Sequence, residues 1–303
     1  AYGIGWCDWS SDVCSSDLLW KTDGTPEGTR MVTDANPGSG NGATLTRPKT
    51  PGISETPQPN MVYDPRTNHT YGFFLQTVEG KPVYWLCKYG FEGDTFIVVK
   101  EFHGLTQPPG NLCLGANSTT NTTDLYFTIS TQDTGNELWY SDGTEAGTTL
   151  VIDINPGTGS GVDYHDGLTA AGNKVFFIGN DNTHGAELWS SNGTATGTQM
   201  VKEINPTSDY NPPISLYPWN DLLYFAAYDG GAQHGGHGYE LWRSDGTATG
   251  TWMVSDLNTG TGSSIWMGQS PWFSVFGSYM YFTAYDAQYN MRLYKTDGTA
   301  GGP

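Results

Sequence analysis

The sequence is short of positive charge. Lys and Arg number 13 against 31 Asp and Glu, for a formal net charge of −18. A phosphate backbone is bound through cationic surface, so nucleic acid and anionic membrane are poor partners for this chain. No apolar run approaches the roughly 20 residues that a membrane-spanning helix needs, and membrane insertion is not expected. Amphipathic helical stretches are missing too. So are the signatures of common catalysts: there is no His-Glu-x-x-His, no Gly-x-Ser-x-Gly and no phosphate-binding loop. The chain therefore reads as a non-enzyme. No Cys-x-x-Cys exists, which removes the thiolate zinc signature, and no cofactor is called for.

Residues 8–18, Asp-Trp-Ser-Ser-Asp-Val-Cys-Ser-Ser-Asp-Leu, read residue for residue as the translation of a sequencing-adapter DNA. Residues 1–18 are therefore set apart from fold reasoning, and any signal peptide falls outside what remains. Of four cysteines, only Cys87 and Cys113 then count. Two cysteines in an aromatic-rich chain read more readily as buried thiols than as a disulfide framework, with their pairing left open.

What the chain has in abundance is repetition. Glu137-Leu138-Trp139-Tyr140-Ser141-Asp142-Gly143-Thr144 returns as Glu187-Leu188-Trp189-Ser190-Ser191-Asn192-Gly193-Thr194 and as Glu240-Leu241-Trp242-Arg243-Ser244-Asp245-Gly246-Thr247. Shorter copies are Leu19-Trp20-Lys21-Thr22-Asp23-Gly24-Thr25 and Leu293-Tyr294-Lys295-Thr296-Asp297-Gly298-Thr299, with a worn copy through Trp85. A period of about fifty residues means one supersecondary unit stacked many times.

Within residues 166–206 four short strands are legible: 167–171, 175–178, 186–190 and 198–204, separated by Asn, Gly and Pro turns. Phe127, Phe177 and Phe282 keep a constant offset from Trp139, Trp189 and Tyr294, as packing between neighbouring units would require. The expected fold is all-β, a β-propeller of four-stranded antiparallel blades, with five to six blades visible. The blades run approximately 58–102, 105–155, 166–206 and 214–258, with a partial blade at 270–299 and two further strands in 19–36. Arg30-Met31-Val32-Thr33 is a candidate to close the ring by completing the last blade.

The repeats resemble the bacterial ELWxxDGT-repeat family, also called hyalin-like, over about residues 19–299. The resemblance implies a secreted or surface-attached protein with a propeller-like repeat region. It brings no catalytic residues to carry over.

Four groups of residues are candidates for chemistry. The Asp-Gly-Thr turns, with Asp142, Asp245 and Asp297, read as structural: the carboxylate accepts nearby backbone amides and the Thr hydroxyl locks the turn. An acidic ladder of Asp34, Glu101, Asp153, Glu203 and Asp256 ends the fourth strands, and Asp153-Ile154-Asn155-Pro156-Gly157 spaces oxygens as calcium loops do, so calcium is kept as a possible ligand. His184, His234 and His237 lie in loops before the repeat motif, where solvation is the simpler reading than metal. The loops joining fourth strands to the next first strands carry Tyr164, His165, Tyr210, Trp219 and Trp266. Aromatic rings among Asn and Asp suit sugar rings, by stacking plus hydrogen bonds, and these five are the candidate binding residues. The expected function is a binding or adhesion module for glycan or a surface protein. The alternatives are a purely structural repeat and a glycan-acting propeller hydrolase.

Overall fold

In five successive sheets an aromatic pair faces itself across two neighbouring strands: Phe74 with Trp85, Phe127 with Trp139, Phe177 with Trp189, Phe225 with Trp242 and Phe282 with Tyr294. These pairs belong to a computed structural model that describes residues 18–21, 25, 30–34, 61–90, 95–115, 123–163, 167–206, 211–230, 236–266 and 271–299.

Strands β1 (Leu18–Lys21) and β2 (Arg30–Asp34) form a two-stranded sheet. Blade one follows as β3 (Met61–Asp64), β4 (His69–Val78), β5 (Lys81–Gly90) and β6 (Thr95–His103). Blade two is β7 (Gly110–Leu114), β8 (Leu125–Thr131), β9 (Gly135–Ser141) and β10 (Thr149–Leu150). Blade three is β11 (Thr169–Ala171), β12 (Lys174–Asn180), β13 (Ala186–Ser191) and β14 (Gln199–Lys202). Blade four is β15 (Ile214–Trp219), β16 (Leu222–Tyr228), β17 (Tyr239–Ser244) and β18 (Trp252–Ser255). Blade five stops at three strands: β19 (Ser274–Phe276), β20 (Tyr279–Tyr285) and β21 (Met291–Thr296). Each sheet is an antiparallel meander in chain order, and the chain is a β-propeller.

The ring-closing role expected for Arg30–Thr33 is corrected. β2 pairs with β1, with Lys21 opposite Arg30, and among the described residues no fourth strand lies beside β21. The reason is local: β1 and β2 are joined by a short connection, so they meet at far lower closure entropy than two strands at opposite ends of the chain.

In blades two to four the second strands are apolar on both sides because each of these blades is sandwiched between two others. On one side of the sheet lie the Phe and Trp of the pair; on the other lie Tyr126 and Leu138, Phe176 and Leu188, or Tyr224 and Leu241. The Leu side of blade two packs against Phe177 and Trp189, that of blade three against Phe225 and Trp242, and that of blade four against Phe282 and Tyr294. Phe127, Phe177, Phe225 and Phe282 are all fully buried. Burying one such ring stabilises by about 2–3 kcal/mol, so the repeat period is a period of core residues.

The Asp-Gly-Thr turn joins the third strand to the fourth. In blade two Asp142 Oδ1 accepts from Thr144 N at 2.9 Å and Thr144 Oγ1 at 2.6 Å, and that hydroxyl oxygen accepts from Gly147 N at 3.0 Å. The same bonds recur at Asn192 with Thr194 and at Asp245 with Thr247. Gly143 takes φ of 84°, a left-handed conformation that a side chain would strain. The structural role expected of these turns is what the hydrogen bonds display.

Candidate functional site

The loops from second to third strands and from fourth strands to the next blade meet on one edge of the propeller. What ties them together is the Glu that opens the repeat motif. Glu137 Oε2 accepts from Ile154 N at 3.0 Å and its Oε1 from Gly161 N at 2.6 Å. Glu240 does the same with Leu257 N at 3.1 Å and Ser264 N at 2.9 Å. Glu187 accepts from Asn205 N at 2.8 Å, while among the described residues its buried Oε2 has no hydrogen-bond partner. All three carboxyls are buried. Burial pushes each up to about 7, against the backbone donors that favour the charged form.

Sequence reasoning missed these glutamates as a group. The signal was present: Glu137, Glu187 and Glu240 stand two positions before Trp139, Trp189 and Trp242, and alternation puts both on one face of the strand. A charged residue in register with a packing tryptophan has to find buried donors.

Two histidines on this edge are held by aspartates. His184 Nδ1 lies 2.8 Å from Asp181 Oδ2, and His237 Nδ1 lies 2.7 Å from Asp229 Oδ2. The hydrogen bond to the carboxylate raises each imidazole above its ordinary range. His234 lies outside the described residues.

Two members of the acidic ladder, Asp153 and Asp256, close their own loops. Asp153 Oδ2 accepts from Gly157 N at 3.4 Å and Asp256 Oδ2 from Gly260 N at 3.2 Å. Among the described residues no group of three or more His, Cys, Asp and Glu could hold a metal ion, so the calcium expectation gains no coordinating cluster there. Cys87 and Cys113 are free thiols, and burial raises both, Cys113 to about 11.

The five candidate binding residues separate. Tyr164, His165 and Tyr210 lie outside the described residues. Trp219 is corrected: it ends β15 at the opposite edge, only 9% exposed, opposite Leu222 across the Asn220-Asp221 turn. Both turn residues have positive φ, 50° and 61°, so β15 runs on through Trp219 and delivers its ring into the core against Tyr224 at 5.3 Å. Trp266 sits where it was expected, 50% exposed on the loop leaving blade four. It flanks a small cleft with Pro271, Thr283, Tyr285 and Met291. Tyr289, from the blade-five loop between second and third strands, lies 6.5 Å from it, and the two rings are tilted by 55°. Tyr289 adopts φ of 58°, an unfavourable conformation for a bulky residue. The loop that holds it is organised by Asp286, which accepts from Asn290 N and Gln288 N at 2.9 Å each and from Arg292 Nε at 3.0 Å. The Asn290 amide bond leads in drawing this carboxyl down to about 2.

No family model matches the chain, and no curated protein matches it. Solved structures do. TolB from Acinetobacter baumannii is 14% identical, with a TM-score of 0.41, over 93% of this chain and 57% of that one. A puromycin hydrolase is 12% identical, with a TM-score of 0.48, over 93% of this chain and 41% of that one. An oligogalacturonate lyase in complex with manganese is 12% identical, with a TM-score of 0.44, over 91% and 70%. The chain thus spans about half the length of the first of these structures, 57% of TolB.

Proposed function

We propose that the chain is a non-catalytic binding propeller of a secreted or surface-attached protein, taking glycan at the Trp266–Tyr289 rim. The observation that carries this reading is the pair itself: two half-exposed aromatic rings, 6.5 Å apart, at the mouth of a cleft and beside the polar Asp286–Asn290 loop. Ring faces stack on the apolar side of a sugar while amide and carboxylate groups bond its hydroxyls. The resemblance to ELWxxDGT repeats supports the extracellular setting. A glycan-array screen of the folded chain, repeated with Trp266→Ala, tests it. Hits that vanish with Trp266→Ala support the rim. An array without hits, from a sample that melts cooperatively, sinks it.

One observation favours the alternative of a purely structural repeat. The repeated Glu, Asp and Thr of blades two and four are committed to loop clamps and turn locks. An empty array would move the assignment to that reading.

A further inference from the structure

Blade three carries Asn192 where the turns of blades two, four and five carry Asp142, Asp245 and Asp297. The geometry survives the exchange. Asn192 Oδ1 accepts from Thr194 N at 3.1 Å and from Thr194 Oγ1 at 2.7 Å. Gly193 N donates to Ser191 Oγ at 3.0 Å; that hydroxyl lies 2.7 Å from Thr198 Oγ1, which donates to Thr194 O at 2.8 Å. The chemistry differs. In the Asp turns the side-chain carbon belongs to an ionised carboxylate, which resists a nucleophile; the Thr247 and Thr299 hydroxyls hold Asp245 and Asp297 below the ordinary carboxylate range. In Asn192 the same carbon is a neutral carboxamide on an exposed residue, followed by a glycine whose nitrogen no side chain shields. Both Thr194 donors converge on Oδ1, the oxygen that turns anionic when Gly193 N adds to Asn192 Cγ. The turn therefore has the parts of an oxyanion site.

A second feature separates this turn from the rest. The Asp turns each receive a cation from the preceding blade: Lys88 donates to Gly143 O at 3.2 Å, Lys174 to Gly246 O at 2.7 Å and Arg243 to Gly298 O at 2.7 Å. Among the described residues no cation does this at Gly193. A Cβ built there would lie 2.9 Å from the Tyr140 ring and 3.1 Å from the Tyr126 hydroxyl. The Tyr140 hydroxyl in turn donates to Asp124 Oδ1 at 2.8 Å, and Arg66 divides itself between Asp64 at 2.9 Å and Asp124 at 3.6 Å. The neutral turn residue thus stands at the joint that offers an acid where the others offer a cation. We infer that Asn192-Gly193 is a self-deamidating site whose product loosens the joint between blades two and three. Gly193 N bonds to Asn192 Cγ and the Cγ–Nδ2 bond then breaks. Ammonia leaves, taking a proton from water in exchange for the one that Gly193 N gives up. Water opens the resulting succinimide, at Cγ to aspartate or at the main-chain carbonyl to isoaspartate. Either product sets a carboxylate beside Tyr140 and Asp124, and isoaspartate also lengthens the backbone within the Thr194 lock.

The test is peptide mapping of the full chain incubated at neutral pH, counting aspartate and isoaspartate at position 192. The map keeps this peptide apart from the other Asn-Gly pair, Asn41-Gly42, which lies outside the described residues. The folded chain should deamidate at 192 faster than the same chain unfolded in urea, a comparison that needs no variant to fold. Thr194→Ala removes one oxyanion donor and should slow the folded reaction by about 100-fold. Thr194→Ser keeps the hydroxyl and should restore it. A turn that merely shields the amide gives the opposite signs: slower in the folded chain, and faster once Thr194→Ala loosens the lock. Either of those results overturns the inference. Asn192→Asp supplies the product directly. It should lower the melting temperature, by less at high salt, because the new charge meets an acid without a cation of its own. An Asn192→Asp chain that melts like wild type overturns the loosened joint.

Discussion

The Ser264 hydroxyl donates to Glu240 Oε2 at 2.5 Å, while the Ser264 amide donates to Oε1 of the same carboxyl. One buried side chain thus fastens the end of blade four to the loop that enters blade five. Replacing it by Gln puts an amide NH₂ against donors. Glu240→Gln and Glu137→Gln should each cost about 1–3 kcal/mol, the range for leaving buried donors unsatisfied. Glu187→Gln should cost less, because among the described residues Glu187 Oε2 has no hydrogen-bonded donor for the new NH₂ to oppose. Urea unfolding of the three variants orders them, and an equal loss at all three would remove the clamp from the explanation.

The same glutamates set how stability varies with pH. Their folded values are raised from 4.5 to about 7, so between those limits the folded chain holds more protons than the unfolded chain. Stability then falls as pH rises through that window. His184 and His237, raised from 6.5, act in the same direction: their contribution is full below 6.5 and is lost as pH passes their folded values. Asp64, Asp181, Asp245 and Asp297 are lowered from 3.8, and their contribution is lost as pH falls below that figure. The melting temperature should therefore peak near pH 5 and decline towards pH 8. Combining Glu137→Gln, Glu187→Gln and Glu240→Gln should flatten the decline. A melt that rises from pH 5 to pH 8 would contradict the assignment.

Two glycines separate turn geometry from turn packing. A Cβ at Gly250 would come within 2.1–2.2 Å of the Asp245 carboxylate, so Gly250→Ala breaks the bonds from Asp245 to Thr247. Gly157 has φ of 103° with nothing within 4 Å of a built Cβ, so Gly157→Ala meets only backbone strain. The first should cost about 2–3 kcal/mol and the second about 1 kcal/mol. Thermal melts check the order.

The propeller was legible because its period is carried by core residues. Phe127, Phe177 and Phe282 announced their partners by spacing alone, and the turn roles of Asp142 and Asp245 followed from side-chain chemistry. Strand ends were read closely where a turn pair marks them, as at Asn192-Gly193 after β13. The fourth strand was read three residues too long, 198–204 against Gln199–Lys202, two of them because Glu203 and Ile204 keep the alternating pattern after the ladder has ended. The site was less legible. Trp219 and Trp266 look alike in sequence, and only the positive-φ turn at Asn220-Asp221 sends one inward. Tyr289 was invisible because its partner Trp266 comes from another blade.

That division of the two tryptophans can be measured. Trp219 is packed against Tyr224 and lies beside Gly298, where a built Cβ would approach it to 3.7 Å. Trp219→Ala empties a core position and should cost about 3–5 kcal/mol. Trp266→Ala and Tyr289→Ala remove half-exposed rings and should change stability by less than about 0.5 kcal/mol. Equilibrium unfolding of the three variants separates core from rim. If Trp266→Ala unfolds the chain as readily as Trp219→Ala does, Trp266 is a packing residue and the rim loses its claim to a ligand. If it melts like wild type, its half-exposed ring is free for another use, and the array with Trp266→Ala then decides whether a sugar is what it meets.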